Sequence, residues 1–319
     1  MITRKLSSEG PKVNVRDVEK LKKLRASSTP LRERLIEDLR FHHFSDGTIS
    51  QYLSELLHLA AHYWRSPAAL TDDDLRSYFN YLQNDCGYSG SSMGVTHAAL
   101  IFFYGYSCPM PMPFLRIFRR KRDKKLPVVL SHDEVRLGLL RVADVRYRAC
   151  LTLIYSCGLR ISEAVKLEVT DIDAKQGLLH IRHGKGGKPR YVPLPDRTLQ
   201  LLREMWKKHR HPRWLFPAYR INLRLPSKRY GMQNKPVSGG TIALHFKAAL
   251  RASGCRKPAT VHSLRHSYAT HLLEEHVPLF TVKEYLGHSS IGSTMLYVHC
   301  TSKIRRSGIG SIEELMRDL

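Results

Sequence analysis

No stretch of 18 or more apolar residues occurs in this chain, and the longest apolar segment, Ala98 to Tyr104, is far too short for a bilayer span of about 20 residues. The opening Met1-Ile2-Thr3-Arg4-Lys5 lacks the apolar block of a secretory leader, so a cytoplasmic location and no membrane partner are expected. Cysteine is sparse. Cys86, Cys108, Cys150, Cys157, Cys255 and Cys300 are scattered without a C-x-x-C pair, which argues against a disulfide frame and a zinc knuckle. Acidic residues are scarce too: 28 Asp and Glu stand against 52 Lys and Arg in 319 residues, giving a net charge of +24 and a pI near 10.0.

What is present is ordinary globular material carrying an excess of positive charge. A hydrophobic fraction of 42% and a charged fraction of 25% supply enough apolar surface for real cores, and the length suits two domains at about 150 residues each. A polyanion is the partner such a charge favours, nucleic acid before an anionic membrane surface. Both halves are basic, +7 over residues 1–126 and +17 over 127–319, so one partner can touch both. Seventeen histidines raise the question of a metal. His262 and His266 stand at i, i+4, but Ser263 occupies the place where H-E-x-x-H needs its glutamate. His42-His43, His180/His183 and His209/His211 have few carboxylates or thiols nearby, and no metal site is expected.

Along the chain, residues 1–28 are polar and weakly periodic, an N-terminal extension. From residue 29 the pattern turns helical. Leu53, Leu56, Leu57, Ala60 and Trp64 share one face; Thr71-Asp72-Asp73-Asp74 is a cap signal before a Leu75/Phe79/Leu82 stripe; an apolar helix follows from Val95 to Tyr104. Residues 29–115 therefore read as a domain of about four helices. Residues 116–130 form a basic linker in which Arg116, Arg119, Arg120, Lys121, Arg122, Lys124 and Lys125 are candidates for phosphate contact, a solvated tether being the alternative. Residues 131–319 open with the cap Ser131-His132-Asp133-Glu134. Helices are expected at Val145–Cys157, Ile161–Leu167, Leu199–Trp206, Thr241–Leu250, Ser263–Leu273 and Leu279–Leu286. A β-hairpin with a lysine at its tip is expected over Leu179–Val192, and Tyr219–Gly240, rich in Arg, Lys, Pro and Gly, reads as an insertion or long loop. The fold class expected is mainly α with a small antiparallel β-sheet.

The second domain carries short segments suited to metal-free phosphodiester chemistry, in which guanidiniums stabilise charge on phosphate oxygens while a nucleophile attacks and the leaving oxygen takes a proton. Tyr155-Ser156-Cys157-Gly158-Leu159-Arg160-Ile161-Ser162-Glu163-Ala164, then His262-Ser263-Leu264-Arg265-His266-Ser267-Tyr268-Ala269-Thr270-His271-Leu272-Leu273, then Leu286-Gly287-His288-Ser289-Ser290-Ile291 followed by Tyr297-Val298-His299, resemble in order the three signatures of the tyrosine recombinase, or phage integrase, family. The hairpin Gly184-Lys185-Gly186-Gly187-Lys188-Pro189-Arg190-Tyr191-Val192-Pro193-Leu194 is similar to the family's lysine-bearing hairpin, and the pattern looks Xer-like. Four segments in order are a far stronger signal than any one.

The resemblance implies a helical core-binding (SAM-like) domain over 29–115 and a mixed α/β catalytic domain over 131–319. It implies that Arg160 and Arg265 clamp the scissile phosphate, Lys185 protonates the leaving 5′ oxygen, His262 assists proton movement, His288 hydrogen-bonds the phosphate, and Tyr297 attacks to give a 3′-phosphotyrosyl intermediate. Glu163 would buttress Arg160. Lys188 is the alternative acid and Tyr285 the rival tyrosine; Lys185 and Tyr297 are preferred on motif position. Cys157 replaces a more usual small residue such as Thr and would make the site sensitive to oxidation. No cofactor is implied. The tail Ile309–Leu319, with Ile312, Leu315, Met316 and Leu319 at helical spacing, folds back on its own domain or docks on a neighbour in a tetrameric synapse. The function expected is site-specific recombination or integration of double-stranded DNA, with topoisomerase-like relaxation as a side activity. The alternative is a non-catalytic architectural DNA binder. A metal-dependent nuclease is disfavoured because residues 255–300 hold only Glu274, Glu275 and Glu284 as acids.

Overall fold

The computed structural model describes residues 29–119, 126–182, 188–221, 230–298 and 301. The 1–28 extension, linker residues Arg120, Lys121, Arg122, Lys124 and Lys125, the hairpin tip with Lys185, and the tail Ile309–Leu319 lie outside the described residues. The chain divides into two compact units, Met1–Lys124 and Lys125–Leu319. No helix among the described residues is long and apolar enough to cross a membrane.

The first unit is helical. α1 (Pro30–Phe41) starts where the Thr29 hydroxyl accepts from Arg32 N, with Pro30 in the first turn, where its missing N–H costs nothing. α2 (Asp46–Tyr63) is capped by Ser45, and α3 (Asp72–Asn84) by a capping box in which Thr71 and Asp74 satisfy each other's backbone N–H. α4 (Gly90–Phe102) runs into a wider turn over Phe103–Ser107, and α5 (Pro113–Ile117) follows. Leu35, Leu39, Leu59, Leu75, Phe79, Leu100 and Phe103 fill the core. The face of α2 differs from the one the sequence suggests. Its deepest residues are Ile49, Leu56 and Leu59, whereas Leu53, Leu57, Ala60 and exposed Trp64 line an open apolar groove of about 510 Å³. Arg116 and Arg119 are exposed.

The second unit is built around two buried helices. α6 (His132–Leu140) begins with a Ser131/Glu134 capping box. α7 (Val145–Ser156) places Ala149, Cys150, Leu151, Leu153 and Ile154 inside, and the short α8 (Ile161–Ala164) follows the turn at Gly158. β1 (Ile172–Asp173), β2 (Leu178–Ile181) and β3 (Arg190–Pro193) form an antiparallel sheet in the order β1-β2-β3, with Leu179 opposite Val192 and Ile181 opposite Arg190. Leu179, Ile181 and Val192 alternate onto the core face. Then come α9 (Asp196–His209), α10 (Gly239–Ala252), α11 (Val261–Glu274), α12 (Leu279–Leu286) and α13 (Gly292–Val298).

Two expectations need correction. The stretch Tyr219–Gly240 is no simple loop: β4 (Pro217–Ile221) pairs antiparallel with β5 (Tyr230–Pro236), so this unit has two small sheets rather than one. The pairing joins Pro217 to Pro236 and Tyr219 to Met232, and the basic, proline-containing composition gives no strand signal for it. Cys157 is not an oxidation-prone thiol. It is fully buried, its Sγ lies 3.4 Å from the Pro193 carbonyl, and burial pushes the thiol up to about 12.

Candidate active site

The site begins at a turn. α7 stops at Ser156, and Gly158 adopts φ +60°, a conformation only glycine takes cheaply. A Cβ there would meet the Tyr268 ring at 2.4 and 2.5 Å, so the ring closes the space a side chain would need. Two residues on, Arg160 precedes α8. Its backbone N–H donates to Glu163 Oε2 at 2.9 Å and its Nη1 to Oε1 at 2.7 Å. Glu163 therefore fixes both ends of Arg160.

The same carboxylate receives a second guanidinium. Arg190, the first residue of β3, donates Nη1 to Oε1 at 3.0 Å and Nη2 to Oε2 at 2.8 Å, a two-pronged pair. Arg265 Nη1 lies 3.8 Å from Oε2. Burial alone would raise the Glu163 carboxyl, but the hydrogen bonds from Arg190 and from the backbone and side chain of Arg160 prevail and hold it at about 2.

Arg265 comes from α11, which is buried on almost every side and therefore shows little periodicity in sequence. Only 1% of Arg265 is exposed. Its Nη1 donates to the Gly158 carbonyl at 2.7 Å and its Nη2 to the Leu286 carbonyl at 2.5 Å. Burial and the neighbouring Arg160 lower it to about 10, still cationic at neutral pH. Leu286 ends α12, and the end of this helix is fully accounted for. Gly287, at φ +61°, donates to the Glu284 carbonyl and His288 N to that of Lys283, a Schellman closure. The last two carbonyls, Tyr285 and Leu286, accept from Arg190 Nε at 2.9 Å and from Arg265. His288 is thus placed by the helix cap. Its Nδ1 is 2.9 Å from the buried Thr294 Oγ1, and burial with nearby Arg265, Arg160 and Arg190 lowers the imidazole to about 4.

Tyr297, on α13, is only 2% exposed. Its Oη hydrogen-bonds His266 Nδ1 at 3.0 Å, and its ring lies 6.2 Å from that of His288. His266 follows His262 by one turn of α11, their rings 4.5 Å apart. Burial, His262 and Arg265 lower His266 to about 4, so it is neutral at pH 7 and able to accept a proton. His262 reaches solvent; partial burial and the charges of Arg265 and Arg160 lower it as well. Arg160, His262, Arg265, His288 and Tyr297 thus converge, Lys188 is exposed at the foot of the hairpin, and Tyr285 is half-buried with its carbonyl engaged.

Two residues escaped the sequence reasoning. His266 stands one turn beyond His262 in the second signature, and this i, i+4 spacing, which suggests a metal pair, instead places its imidazole against Tyr297. Arg190 meets Glu163 across 27 positions, and nothing local marks the pairing.

A helical unit followed by a mixed α/β unit that gathers arginines, histidines and a tyrosine in one cluster is the arrangement of a DNA strand-exchange enzyme. Comparison with known proteins agrees. The phage integrase family model matches residues 129–303 and the phage integrase N-terminal SAM-like model residues 31–113. An integrase/recombinase of Escherichia coli is 32% identical over 320 residues, covering 89% of this chain and 93% of that protein. In fold, the chain is similar to the XerH site-specific recombinase bound to a palindromic difH substrate in a post-cleavage complex (TM-score 0.62, 21% identity, 97% and 92% covered). It is also similar to a lambda integrase tetramer bound to a Holliday junction (TM-score 0.64, 17% identity, 84% and 80% covered). The chain belongs to the phage integrase family, the tyrosine recombinases, whose activity is site-specific DNA recombination.

Proposed function

We propose that this recombinase cuts and rejoins double-stranded DNA through a 3′-phosphotyrosyl intermediate on Tyr297. The observation that carries the proposal is the Tyr297 Oη–His266 Nδ1 hydrogen bond beside the Arg160/Arg265 pair on Glu163. Tyr297 Oη attacks phosphorus and passes its proton to the neutral imidazole of His266, with His262 next in line. The P–O5′ bond breaks, and Lys185 gives its proton to the leaving oxygen. Arg160 and Arg265 neutralise the non-bridging oxygens, and His288 hydrogen-bonds the phosphate. Rejoining reverses these steps, the phosphotyrosine having conserved the bond energy.

The helical unit (29–115), the linker (116–130) and the catalytic unit (131–319) would together engage one duplex, with Arg116, Arg119, Arg120, Lys121, Arg122, Lys124 and Lys125 on backbone phosphates. The protein acts in the cytoplasm, and four copies assemble on DNA, with the tail Ile309–Leu319 as the docking element between neighbours.

A nicked suicide duplex carrying a candidate site, incubated in EDTA with wild type or Tyr297→Phe, tests the chemistry. Wild type should form a denaturant-resistant protein–DNA adduct, and the phenylalanine variant should bind without forming it. Adduct in Tyr297→Phe overturns the nucleophile, and cleavage only with added metal overturns the mechanism. Binding without adduct in either protein favours the architectural alternative.

A further inference from the structure

Arg190 has no place in the catalytic set described above, yet its direct partners, Glu163, the Tyr285 carbonyl and Gly287, adjoin Arg160, Arg265 and His288. Its two Nη groups fork onto the Glu163 carboxylate, and that carboxylate also carries the Nη1 and backbone N–H of Arg160. Its Nε caps the Tyr285 carbonyl, next to the Leu286 carbonyl that holds Arg265. Its side chain lies against Gly287, where an added Cβ would come within 2.9 Å of Arg190 Cδ and 3.1 Å of Nε and Nη1. The next residue is His288. Only 10% of the Arg190 side chain is exposed, so it does not reach out to a ligand itself.

Geometry and charge both follow from this placement. Arg160 bonds the two Glu163 oxygens with one flexible guanidinium arm and its own backbone N–H, so alone it would leave the carboxylate and that arm to shift together. The fork from Arg190 occupies both oxygens and fixes the plane of Glu163, so Arg160 is held in one orientation before DNA arrives. Three guanidiniums around one carboxylate also leave a net +2 at the point where a phosphate monoanion gains charge in its transition state. Without Arg190 the surplus falls to +1, and Glu163 competes directly with the phosphate for Arg160 and Arg265.

We propose that Arg190 is the positioning residue of the phosphate clamp: it orients Arg160 through Glu163, locks the α12 terminus that sets His288, and keeps the pocket at a net +2 without touching DNA. This inference rests on the recombinase chemistry proposed above.

The test compares two suicide substrates that differ only at the scissile phosphate, one natural and one a methylphosphonate. The methylphosphonate has no charge on its non-bridging oxygen and so needs little help from cations. Arg190→Gln should bind DNA within about threefold of wild type and form adduct about 10²- to 10³-fold more slowly on the natural substrate. On the methylphosphonate that penalty should shrink to about fivefold or less. Arg190→Lys, which keeps the charge but loses the fork, should fall between the two and gives the same comparison if the glutamine variant does not fold. A natural-substrate rate within about threefold of wild type, or an equal penalty on both substrates, overturns the inference while leaving the recombinase function intact. A wild type that forms no adduct removes both.

Discussion

Replacing Gly158 by alanine puts a methyl group where the Tyr268 ring already lies, at 2.4 and 2.5 Å from two ring carbons and 3.1 Å from a Leu286 methyl. Tyr268 and Leu286 are buried and packed with Tyr297, so the ring has nowhere to retreat. Two costs add. A non-glycine residue at φ +60° costs about 1–2 kcal/mol, and overpacking a closed core costs about 1–3 kcal/mol. The sum, about 2–5 kcal/mol, corresponds to a fall of roughly 5–15 °C in the Tm of the catalytic unit. The change also reaches chemistry, because the Gly158 carbonyl that the methyl would push aside accepts the 2.7 Å hydrogen bond from Arg265 Nη1. Adduct formation on the suicide duplex should therefore fall by about 10²-fold even at a temperature where the variant is fully folded.

Asparagine separates the two costs. It tolerates the left-handed conformation better than alanine but adds a whole amide beyond the same Cβ, so Gly158→Asn should melt above Gly158→Ala where the backbone angle dominates and no higher than it where the packing dominates. Thermal unfolding of the three proteins, followed by near-UV circular dichroism, is the measurement. If Gly158→Ala melts within about 3 °C of wild type and forms adduct at the wild-type rate, the account of this turn is refuted. If Gly158→Asn matches wild type, the contact with Tyr268 counts for nothing and only the backbone angle matters.

Other consequences can be checked in the same preparations. Glu163 falls from an ordinary value of 4.5 to about 2, so its charged form stabilises the fold fully above pH 4.5, and that contribution, about 3 kcal/mol, fades as pH drops towards 2. Glu163→Gln should accordingly melt well below wild type at pH 7, with the gap narrowing by about half at pH 3; a gap that stays constant with pH would count against the guanidinium cluster as its source. His266→Gln should leave DNA affinity unchanged while slowing adduct formation by about 10²-fold, and a full-rate variant would return the proton to His262. Arg116→Gln together with Arg119→Gln should make the slope of log affinity against log salt shallower by about 2, as loss of two phosphate contacts requires; an unchanged slope means that those side chains stay in solvent.

Legibility in the sequence tracked how local each interaction is. The capping boxes at Thr71/Asp74 and Ser131/Glu134 span three residues, and their residue types announce them. The turn at Gly158 and the i, i+3 spacing of His262 and Arg265 are equally local. The open groove along α2 was less visible, because Leu53, Leu57 and Ala60 share the apolar character of buried Leu56 and composition does not say which side a neighbouring helix covers. The β4–β5 pairing was hidden for another reason: its register is carried by backbone hydrogen bonds between residues that read as turn and solvent.

The site's electrostatics were least visible, and α11 shows why. Several of its polar side chains are bonded inside the protein: Ser267 Oγ accepts from Leu130 N at 2.8 Å and donates to the Ser263 carbonyl, and His271 bonds Tyr155 Oη at 2.9 Å. A helix that buries polar groups on all sides has no apolar stripe to read, yet that same burial immobilises Arg265. A guanidinium fixed on two carbonyls has already lost its rotamer freedom and most of its water before any phosphate arrives, so its charge acts at low dielectric without a reorganisation cost. The partner that makes such burial tolerable is a single carboxylate shared with Arg160 and Arg190, drawn from three separate elements that only the finished fold brings together.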